Sequence, residues 1–405
     1  MSLSKASGRK KWKLAVWASH PIQYQVPLYR RLAAHPEIDL FVYFQTDTGL
    51  RKKTIVGYGD AIRWDIPLLE GYAYKILVNV SPISGTLKPW ANINPTIVRE
   101  LLKTRYDGIL INGYSSVSDW LGFAAASVLR VPILFRGEVL VNSARRLISS
   151  RRCGDYFRRF WCRQLGAALA VSSGAKEYFA HYGVPATRVF WAPLAVDNEY
   201  WHRRADELRP EREEIRASLG IPPDRPVLLL VAHLRDQKRP MDLLEAAARL
   251  KSRASLVVVG AGPLWDQVRQ YRESRGLSSV YLVGEKNQTE LPQYYAAADI
   301  FVMTSGVGEI NPLVVHEAMC FGLPLIMSDA IPSSADVILE AQNGYTYPVG
   351  NISELVERIE RLLDNPTRRS EMGQCSRDLN SSWNYDVCVK GIVEALGYLT
   401  DHKKE

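Results

Sequence analysis

Residues 299–317 read DIFVMTSGVGEINPLVVHE, which is a short strand, a glycine-containing loop and the start of a helix. Asp299 to Met303 is an apolar run of strand length. Asn311 followed by Pro312 predicts a helix start, because asparagine is a strong N-cap and proline is preferred at the first helical position. We therefore predict a helix from Pro312 to Phe321, and strand, loop and helix together form the repeating unit of a parallel sheet.

The predicted helix start is suited to binding an anion. The N–H groups of Leu313 and Val314 point out of the helix end, where the dipole is positive, and a diphosphate is the obvious candidate. Glu309 lies in the preceding loop, and Glu317 lies in the second turn and leans toward the helix start. Two carboxylates beside a phosphate favour a sugar nucleotide, whose sugar and ribose hydroxyls would each partner one glutamate. The alternative is that both glutamates are solvated surface charges.

The same alternation of strands and helices extends along the chain in both directions. Short apolar or β-branched runs predict strands at residues 14–18, 40–44, 108–112, 131–135, 168–172, 227–232, 255–259, 280–283, 299–303 and 325–327. Helical patterns lie at residues 26–34, 118–129, 241–251, 263–275, 290–297, 312–321 and 384–399. We predict an α/β fold with two doubly wound sheets in tandem, and ligand at the carboxyl ends of the strands and in the cleft between the lobes.

The chain length and one stretch of composition indicate two domains. A chain of 405 residues exceeds the size at which single cores usually stop growing. Residues 198–226 are rich in charge and proline, and we place the boundary near their start. The prediction is a first domain over 1–197, a second over 198–380, and a C-terminal segment, 381–405, whose helix can pack back across the cleft.

A second group of polar residues follows the predicted strand at 227–232. The loop reads HLRDQKRP, residues 233–240, and it places Arg235, Lys238 and Arg239 at the same sheet edge as the first site. Cations there can neutralise a diphosphate leaving group, although a basic loop on its own is usually just solvated. The loop GAGP at residues 260–263 allows close approach of backbone to a ligand, but a lone Gly-x-Gly is a weak signal.

The net charge of +8 is unevenly distributed. Residues 1–205 hold 29 Lys and Arg against 14 Asp and Glu, so the remainder of the chain carries a net charge of −7. A basic first domain suits nucleic acid, an anionic membrane surface or a phosphorylated substrate. Nucleic acid is disfavoured, because the sequence has no zinc spacing, no nucleic-acid-binding fold motif and no aromatic-basic signature.

The first residues, the apolar runs and the cysteines predict a cytoplasmic protein. Residues 1–13 are polar and basic without a signal-peptide hydrophobic region, and no apolar run reaches the roughly 18 residues that a membrane span needs. The five cysteines are an odd number without a Cys-x-x-Cys pair, which argues against a disulfide framework and a zinc site. We expect reduced thiols.

One basic segment predicts peripheral contact with the inner face of an anionic membrane. Residues 145–161 read RRLISSRRCGDYFRRFW and combine arginines with aromatic and aliphatic residues at helical spacing. The alternative is a helix that packs its apolar stripe on the first sheet and solvates its basic face. Gly154 disfavours one continuous amphipathic helix.

Several motifs in the right order resemble the retaining glycosyltransferases of family 4, which adopt the two-lobed GT-B fold of two Rossmann-like doubly wound domains facing a central cleft. The resemblance runs through most of residues 165–350. It rests on the motifs EINPLVVHE continued by AMCFGLPLIMSD, VAHLRDQKRPMDLLEA, VVVGAGPL, LPQYYAAADIFVMTS and GVPATRVFWAPLAVD. It implies transfer of a hexose-type sugar from a nucleotide diphosphate sugar to a hydroxyl of a glycan, lipid-linked or small-molecule acceptor.

The resemblance also implies roles for residues of the second domain. Glu309 would contact the transferred sugar near its reacting carbon, and Glu317 would hold the ribose. Lys238 would bind the diphosphate together with the backbone donors Leu313 and Val314. Gly284 and Glu285 lie where the family seats the nucleobase. The nucleotide sugar would be a co-substrate, and neither a cofactor nor a metal is implied.

This chain departs from the family pattern at several places in the site. His233 stands where the family usually has an arginine, so Arg235 or Arg239 would take over its role. Asn311 and Pro312 replace the commoner Phe-Gly. The first-domain loop reads SHPIQY, residues 19–24, in place of the frequent Gly-Gly.

The first domain offers candidates for the cleft and for the acceptor. His20, Gln23 and Tyr24 belong to the loop that departs from the family pattern. Arg136 and Glu138 occupy the segment after the fourth predicted strand, where the family often has a histidine. Structural or surface roles are the alternative for Arg136 and Glu138.

Two other functions remain open at this point. One is another enzyme on the same fold, such as a sugar-nucleotide epimerase or a glycosyl phosphorylase. The other is a non-catalytic sugar-nucleotide-binding or scaffold protein, which the missing arginine and histidine make conceivable. The presence of Glu309, Glu317 and Lys238 together argues against a non-catalytic protein.

Overall fold

A computed structural model describes residues 11–50, 64–83, 88–141 and 151–402 of the chain. These residues form two parallel β-sheets with helices on both faces of each. The predicted pair of doubly wound α/β domains is confirmed. No helix within the described residues is long and apolar enough to cross a membrane.

The first sheet has seven strands in the order β3-β2-β1-β4-β5-β6-β7. The strands are β1 (Trp12–Ala18), β2 (Ile38–Phe44), β3 (Ala73–Ile76), β4 (Gly108–Asn112), β5 (Ile133–Arg136), β6 (Ala167–Ala170) and β7 (Val189–Trp191). The helices of this half are α1 (Val26–Ala34), α2 (Ile97–Lys103), α3 (Val117–Val128), α4 (Arg151–Arg163) and α5 (Ser173–His181). The strand order reverses between β1 and β4, where doubly wound sheets form their ligand crevice.

The central strand β1 is buried on both faces, as expected of a parallel sheet covered by helices. Ala15 and Trp17 join one apolar cluster, whereas Leu14, Val16 and Ala18 join another on the opposite face. Successive side chains of a strand point to opposite faces, so this continuous apolar run fills two cores at once.

The second sheet has six strands in the order β10-β9-β8-β11-β12-β13. The strands are β8 (Val227–Val231), β9 (Ser255–Val259), β10 (Val280–Gly284), β11 (Ile300–Met303), β12 (Leu325–Ser328) and β13 (Gly344–Tyr347). The helices are α6 (Asn198–Leu208), α7 (Arg212–Ser218), α8 (Pro240–Arg249), α9 (Trp265–Ser274), α10 (Leu291–Ala297), α11 (Leu313–Cys320), α12 (Ser334–Val337), α13 (Ile352–Leu363), α14 (Pro366–Asn380) and α15 (Tyr385–Asp401). Its order reverses between β8 and β11, so both sheets present a crevice of the same kind.

The charged stretch between the sheets is folded into α6 and α7, which the sequence pattern had not indicated. The guanidinium groups of Arg212 and Arg216 each donate to the carboxylate of Asp299 at 2.6 Å. The same carboxylate accepts from the backbone N–H of Val227 at 2.7 Å. These contacts fix the starts of β8 and β11, the two strands whose far ends carry the site described below.

The last helix, α15, returns to the first domain and covers one face of its sheet. Ile392 and Leu396 are fully buried in the cluster that contains Leu14 and Val16. The hydroxyl of Tyr385 donates to the backbone carbonyl of Tyr24 at 2.6 Å. The end of the chain therefore connects the second domain to the first-domain loop that borders the cleft.

Candidate active site

The carboxyl ends of both sheets border one cleft with a volume of about 600 Å³. Its first-domain wall includes the loops after β1, β4, β5, β6 and β7, and its second-domain wall includes the loops after β8, β9, β10 and β11. Most of the side chains that the sequence analysis singled out line it: Gln23, Tyr24, Arg136, Glu138, His233, Arg235, Lys238, Glu285, Glu309, Asn311, Leu313, Val314 and Glu317. A cavity of this size suits a ligand of several rings.

Lys238 and Glu309 face each other across the second-domain wall and form an ion pair. Both side chains are about 12% exposed, so the pair is largely removed from solvent. The backbone carbonyl of Lys238 also accepts from the hydroxyl of Thr304 at 2.8 Å, which ties the loop after β8 to the end of β11. The two residues are 71 positions apart in the sequence, so no local sequence pattern predicted this ion pair.

Helix α11 begins one residue later than predicted, and the expected asparagine cap is wrong. Pro312, with φ −73° and ψ 110°, occupies the cap position, and Leu313 is the first helical residue. Proline has no side-chain acceptor, so the residue at the cap position makes no capping hydrogen bond. Leu313 and Val314 hold the first two positions, so their N–H groups have no partner within the helix and face the cleft end.

Asn311 is therefore left with a side chain that does not cap anything. The residue is 6% exposed and it lines the cleft, and its buried Nδ2 has no hydrogen-bond partner among the described residues. The loop backbone just before it is fixed by the N–H of Ser333, which donates to the carbonyl of Ile310 at 3.3 Å.

Glu317 lines the same cleft as Glu309 and lies one turn into α11. The hydroxyl of Tyr295 donates to its Oε2 at 2.6 Å. Burial raises the pKa of Glu317 to about 7, and the hydrogen bond from Tyr295 only partly offsets this effect. Tyr295 itself is held between Trp201 and Phe321. The two glutamates thus differ in surroundings: Glu309 is paired with a cation, and Glu317 is held by a neutral hydroxyl.

The basic residues of the loop after β8 differ in whether they reach the cleft. Arg235 lines the cleft, and within the part of the chain that the structure describes its buried Nε has no hydrogen-bond partner. Arg239 does not line the cleft, and its guanidinium contacts Asp242 at 2.7 and 3.1 Å. His233 lines the cleft, and burial, then the charge of Arg235, lower the pKa of its imidazole. Of the two arginines considered as replacements for the family arginine, only Arg235 reaches the cavity.

The loop after β9 approaches the loop after β8 closely, and its glycines make this possible. Gly260 has φ +131°, and a Cβ there would lie 1.9 Å from the carbonyl oxygen of Ala232. Gly262 has φ +153°, and its Cβ would lie 2.6 Å from the carbonyl oxygen of Leu234. Only glycine fits these two positions, so the weak Gly-x-Gly signal marks a wall of the cleft.

The loop after β10 meets the first domain at the rim of the cleft. Glu285, Lys286 and Gln288 line the cavity, whereas Gly284 does not. Trp64 lines the same end from the first domain. Next to it, the carboxylate of Asp65 accepts from the N–H and the hydroxyl of Thr289. The sequence gave no signal for Trp64 or Asp65, because neither lies after a predicted strand.

The first-domain candidates divide into cleft and structural positions. Gln23 and Tyr24 line the cavity, but His20 does not; its Nδ1 contacts the Ser19 hydroxyl at 3.0 Å, and burial lowers its pKa to about 4. Arg136 borders the cleft, but it is 5% exposed and donates to the carbonyls of Ala192 and Pro193. Its main contacts therefore hold the segment after β7.

Outside the cleft, α4 carries an exposed aromatic and basic surface. Tyr156 and Phe160, one turn apart, are 76% and 61% exposed. Arg159 and Arg163 are exposed beside them, while Trp161 packs edge-on against Phe135 in the core. The helix is continuous through Gly154, contrary to the expectation that glycine would interrupt it. Residues 145–150 of the predicted basic segment lie outside the described residues.

Residues 211–378 match the family model described as "Glycosyl transferases group 1". The chain is 26% identical over 306 residues to the sulfoquinovosyl transferase SQD2 of Arabidopsis thaliana, covering 74% of this chain and 58% of that protein. It is also 26% identical over 240 residues to a GDP-mannose-dependent alpha-(1-6)-phosphatidylinositol monomannoside mannosyltransferase of Mycobacterium tuberculosis. This alignment covers 56% of this chain and 60% of that protein. The chain thus spans about three fifths of the length of these relatives. The resemblance to glycosyltransferases seen in the sequence is confirmed at the level of the group 1 family model over residues 211–378.

The fold matches that of HepE from Anabaena, solved in complex with UDP. The TM-score is 0.71 at 16% identity, and the alignment covers 95% of this chain and 99% of HepE. The chain therefore has the GT-B fold, with two Rossmann-like domains that face a central cleft.

Proposed function

We propose that this chain, whose second domain matches the glycosyl transferases group 1 family, transfers a sugar from a nucleotide diphosphate sugar to a hydroxyl acceptor. One observation carries the proposal. The start of α11, the Lys238–Glu309 pair and Glu317 converge on a single cleft between the two domains. This arrangement matches the three chemical parts of such a donor: a diphosphate, a sugar and a ribose.

The diphosphate is assigned to the start of α11. The N–H groups of Leu313 and Val314 provide backbone donors at the positive end of the helix dipole. Lys238 and Arg235 border the same space and supply positive charge for the leaving group. On this assignment no metal is needed, because the developing charge is met by side-chain cations and backbone donors.

Glu309 is assigned to the transferred sugar. In the structure its carboxylate is neutralised by Lys238. A diphosphate competes for the same ammonium group, and its binding would turn Glu309 toward the sugar. The charge of Glu309 then stabilises the positive character that develops on the sugar as the leaving group departs.

The transfer proposed is a retaining one. The bond between the anomeric carbon and the phosphate oxygen breaks, and its electron pair leaves with the diphosphate. The acceptor oxygen bonds to the anomeric carbon on the same face, and its proton passes to the departing phosphate oxygen. The protein positions the reactants and stabilises charge. A hexose-type sugar is part of this proposal, and analysis of the anomeric configuration of the product by NMR tests retention: an inverted product overturns it.

Glu317 is assigned to the ribose, and this assignment predicts a pH dependence of donor affinity. Ribose hydroxyls donate to the ionised carboxylate, whereas the pKa of Glu317 is raised to about 7. The stabilising contact is therefore present above pH 7 and is lost as the pH falls, by up to about tenfold in Kd per unit. Titration with a sugar nucleotide between pH 5.5 and 8.5 measures it, since a sugar-linked diphosphate does not itself titrate in this range.

Glu317→Gln is the control for the pH experiment. The amide cannot ionise, so the variant should bind more weakly at pH 8 and show a flat profile. The same slope in the variant and the wild type would assign the pH dependence to another group and refute the role of Glu317.

The acceptor is proposed to be membrane-associated, which would place the chain as a peripheral protein on the cytoplasmic face. The support is the exposed surface of α4, where Tyr156 and Phe160 lie beside Arg159 and Arg163. Aromatic side chains at the interface and arginines facing anionic headgroups are the usual elements of such contacts. The mannosyltransferase relative acts, by its name, on a phosphatidylinositol glycolipid.

Arg159→Glu should weaken binding to anionic liposomes. Each basic residue near an anionic surface contributes about 1 kcal/mol, so charge reversal predicts a roughly 30-fold loss in partition coefficient. Co-sedimentation with vesicles of 30% phosphatidylserine at low salt is the measurement. Arg105→Glu, an exposed arginine elsewhere in the first domain, is the matched control and should retain binding. Equal loss in both variants would mean that only net charge matters and that α4 is not the contact surface.

A further inference from the structure

We infer that Trp64 of the first domain stacks on the nucleobase of the donor, opposite the loop after β10. The inference rests on the proposed function and adds a residue that contacts the donor from across the interdomain cleft. It is carried by the position of Trp64, whose partly exposed indole lines the cleft beside that loop.

The contacts of Glu317 indicate where the nucleobase lies. Glu317, assigned to the ribose, accepts a hydrogen bond from Tyr295 of α10. Helix α10 begins at Leu291, directly after the loop that follows β10, and Leu291 lines the cleft. The nucleobase is bonded to the ribose on the side away from the diphosphate. We therefore place it between Glu317 and the loop after β10.

The order of the strands agrees with this direction. Strands β10 and β11 are separated by three strand spacings in the second sheet, which is about 14 Å at the usual distance between neighbours. The diphosphate site at α11 follows β11, and the loop with Glu285, Lys286 and Gln288 follows β10. An extended donor with its diphosphate at β11 therefore has its base at the β10 end of the cleft.

Trp64 reaches this end of the cleft from the opposite domain. Next to it, the carboxylate of Asp65 accepts from the backbone N–H of Thr289 at 3.1 Å and from the Thr289 hydroxyl. Thr289 belongs to the loop after β10, so this contact holds Trp64 beside that loop. The first-domain loop at Gly49 supports the ring, because a Cβ at Gly49 would lie 3.4 Å from the indole Nε1.

An indole suits the nucleobase better than it suits the diphosphate or the ribose. The phosphates and the ribose hydroxyls need charged or polar partners, whereas a base has a flat π face that stacks on aromatic side chains. The indole of Trp64 is partly exposed and borders the cavity, so a ligand can reach it in the observed conformation. Stacking is tolerant of base identity, so Trp64 contributes affinity for the nucleotide and not the choice of base.

Trp64→Ala and Trp64→Phe test the inference. The probes are the member of the set UDP, GDP, ADP and dTDP that binds the wild type most tightly, and inorganic pyrophosphate, which has no base, as its competitor. Loss of the stacking contact should raise the Kd of the nucleoside diphosphate roughly 5- to 150-fold in Trp64→Ala. Trp64→Phe keeps an aromatic face and should retain most of the affinity. The affinity for pyrophosphate should be the same in both variants as in the wild type.

The matched control is Trp90→Ala, which removes an exposed tryptophan of the first domain that does not line the cleft. It should bind both probes as the wild type does. An unchanged Kd of the nucleoside diphosphate in Trp64→Ala overturns the inference. Equal weakening for the nucleoside diphosphate and pyrophosphate also overturns it, because Trp64 then shapes the phosphate site or the fold. Equal losses in Trp64→Ala and Trp64→Phe do the same, because a stacking contact would survive in the phenylalanine variant. If the wild type binds none of the nucleoside diphosphates, the proposed function itself fails.

Discussion

Glu309→Gln should reduce the rate of sugar transfer by about 100- to 1,000-fold while leaving donor binding intact. Glutamine keeps the shape of the side chain but removes the negative charge that stabilises the developing positive charge on the sugar, and losses of this size follow removal of a single stabilising group. The variant also frees Lys238 from its ion pair, so nucleoside diphosphate should bind as tightly as in the wild type or more tightly. The measurements are kcat from nucleotide release and Kd from calorimetry.

The matched control for this variant is Glu357→Gln, which removes the same charge from an exposed glutamate on α13. It should leave both kcat and Kd unchanged. If Glu309→Gln transferred sugar at the wild-type rate, Glu309 would have no part in the chemistry. If it lost nucleotide binding as well, the role of Glu309 would be in holding the site together.

Lys238→Met should weaken binding of a sugar nucleotide by roughly 10- to 100-fold. This change in Kd corresponds to the free energy that a hydrogen bond to a charged group contributes. It should also lower thermal stability, because it leaves the largely buried carboxylate of Glu309 without its cation. Double substitution with Glu309→Gln should recover stability but not affinity. This difference separates the contribution of the ion pair to stability from the contribution of Lys238 to donor binding.

Arg239→Met is the control for the lysine, because Arg239 belongs to the same loop yet contacts Asp242 and lies outside the cleft wall. It should retain nucleotide affinity. An equal loss of affinity in both variants would indicate that the loop acts through its overall charge, which contradicts a specific contact from Lys238.

Much of the architecture was predictable, because strand and helix periods are strong signals where an element is central and fully covered. Helix Val26–Ala34 and strands Gly108–Asn112 and Ser255–Val259 have the predicted bounds. The strands that the sequence analysis missed, β3, β7 and β13, are three or four residues long and lie at sheet edges. An edge strand pairs on one side only and is less buried, so it needs no long apolar run.

Site residues that directly follow a predicted strand could be predicted from the sequence. Contacts between segments that are distant in the sequence could not. The two glutamates, the lysine and the glycine loop follow strands, so the topology brings them to one edge. The predicted cap at Asn311 was wrong, because Pro312 itself occupies the cap position with an extended ψ. Local residue preferences do not show which of the two residues takes this position. The ion pair of Lys238 with Glu309 and the contact of Asp65 with Thr289 depend on tertiary packing between distant segments.

The most direct test of the proposed sugar transfer is release of nucleoside diphosphate from a panel of UDP-, GDP-, ADP- and dTDP-sugars, with and without an extract of membrane glycolipids as acceptor. We expect that the wild type cleaves at least one donor, that acceptor accelerates the release, and that Glu309→Gln binds the same donor without cleaving it. Failure to bind any donor, or cleavage at equal rates by the wild type and Glu309→Gln, would contradict it.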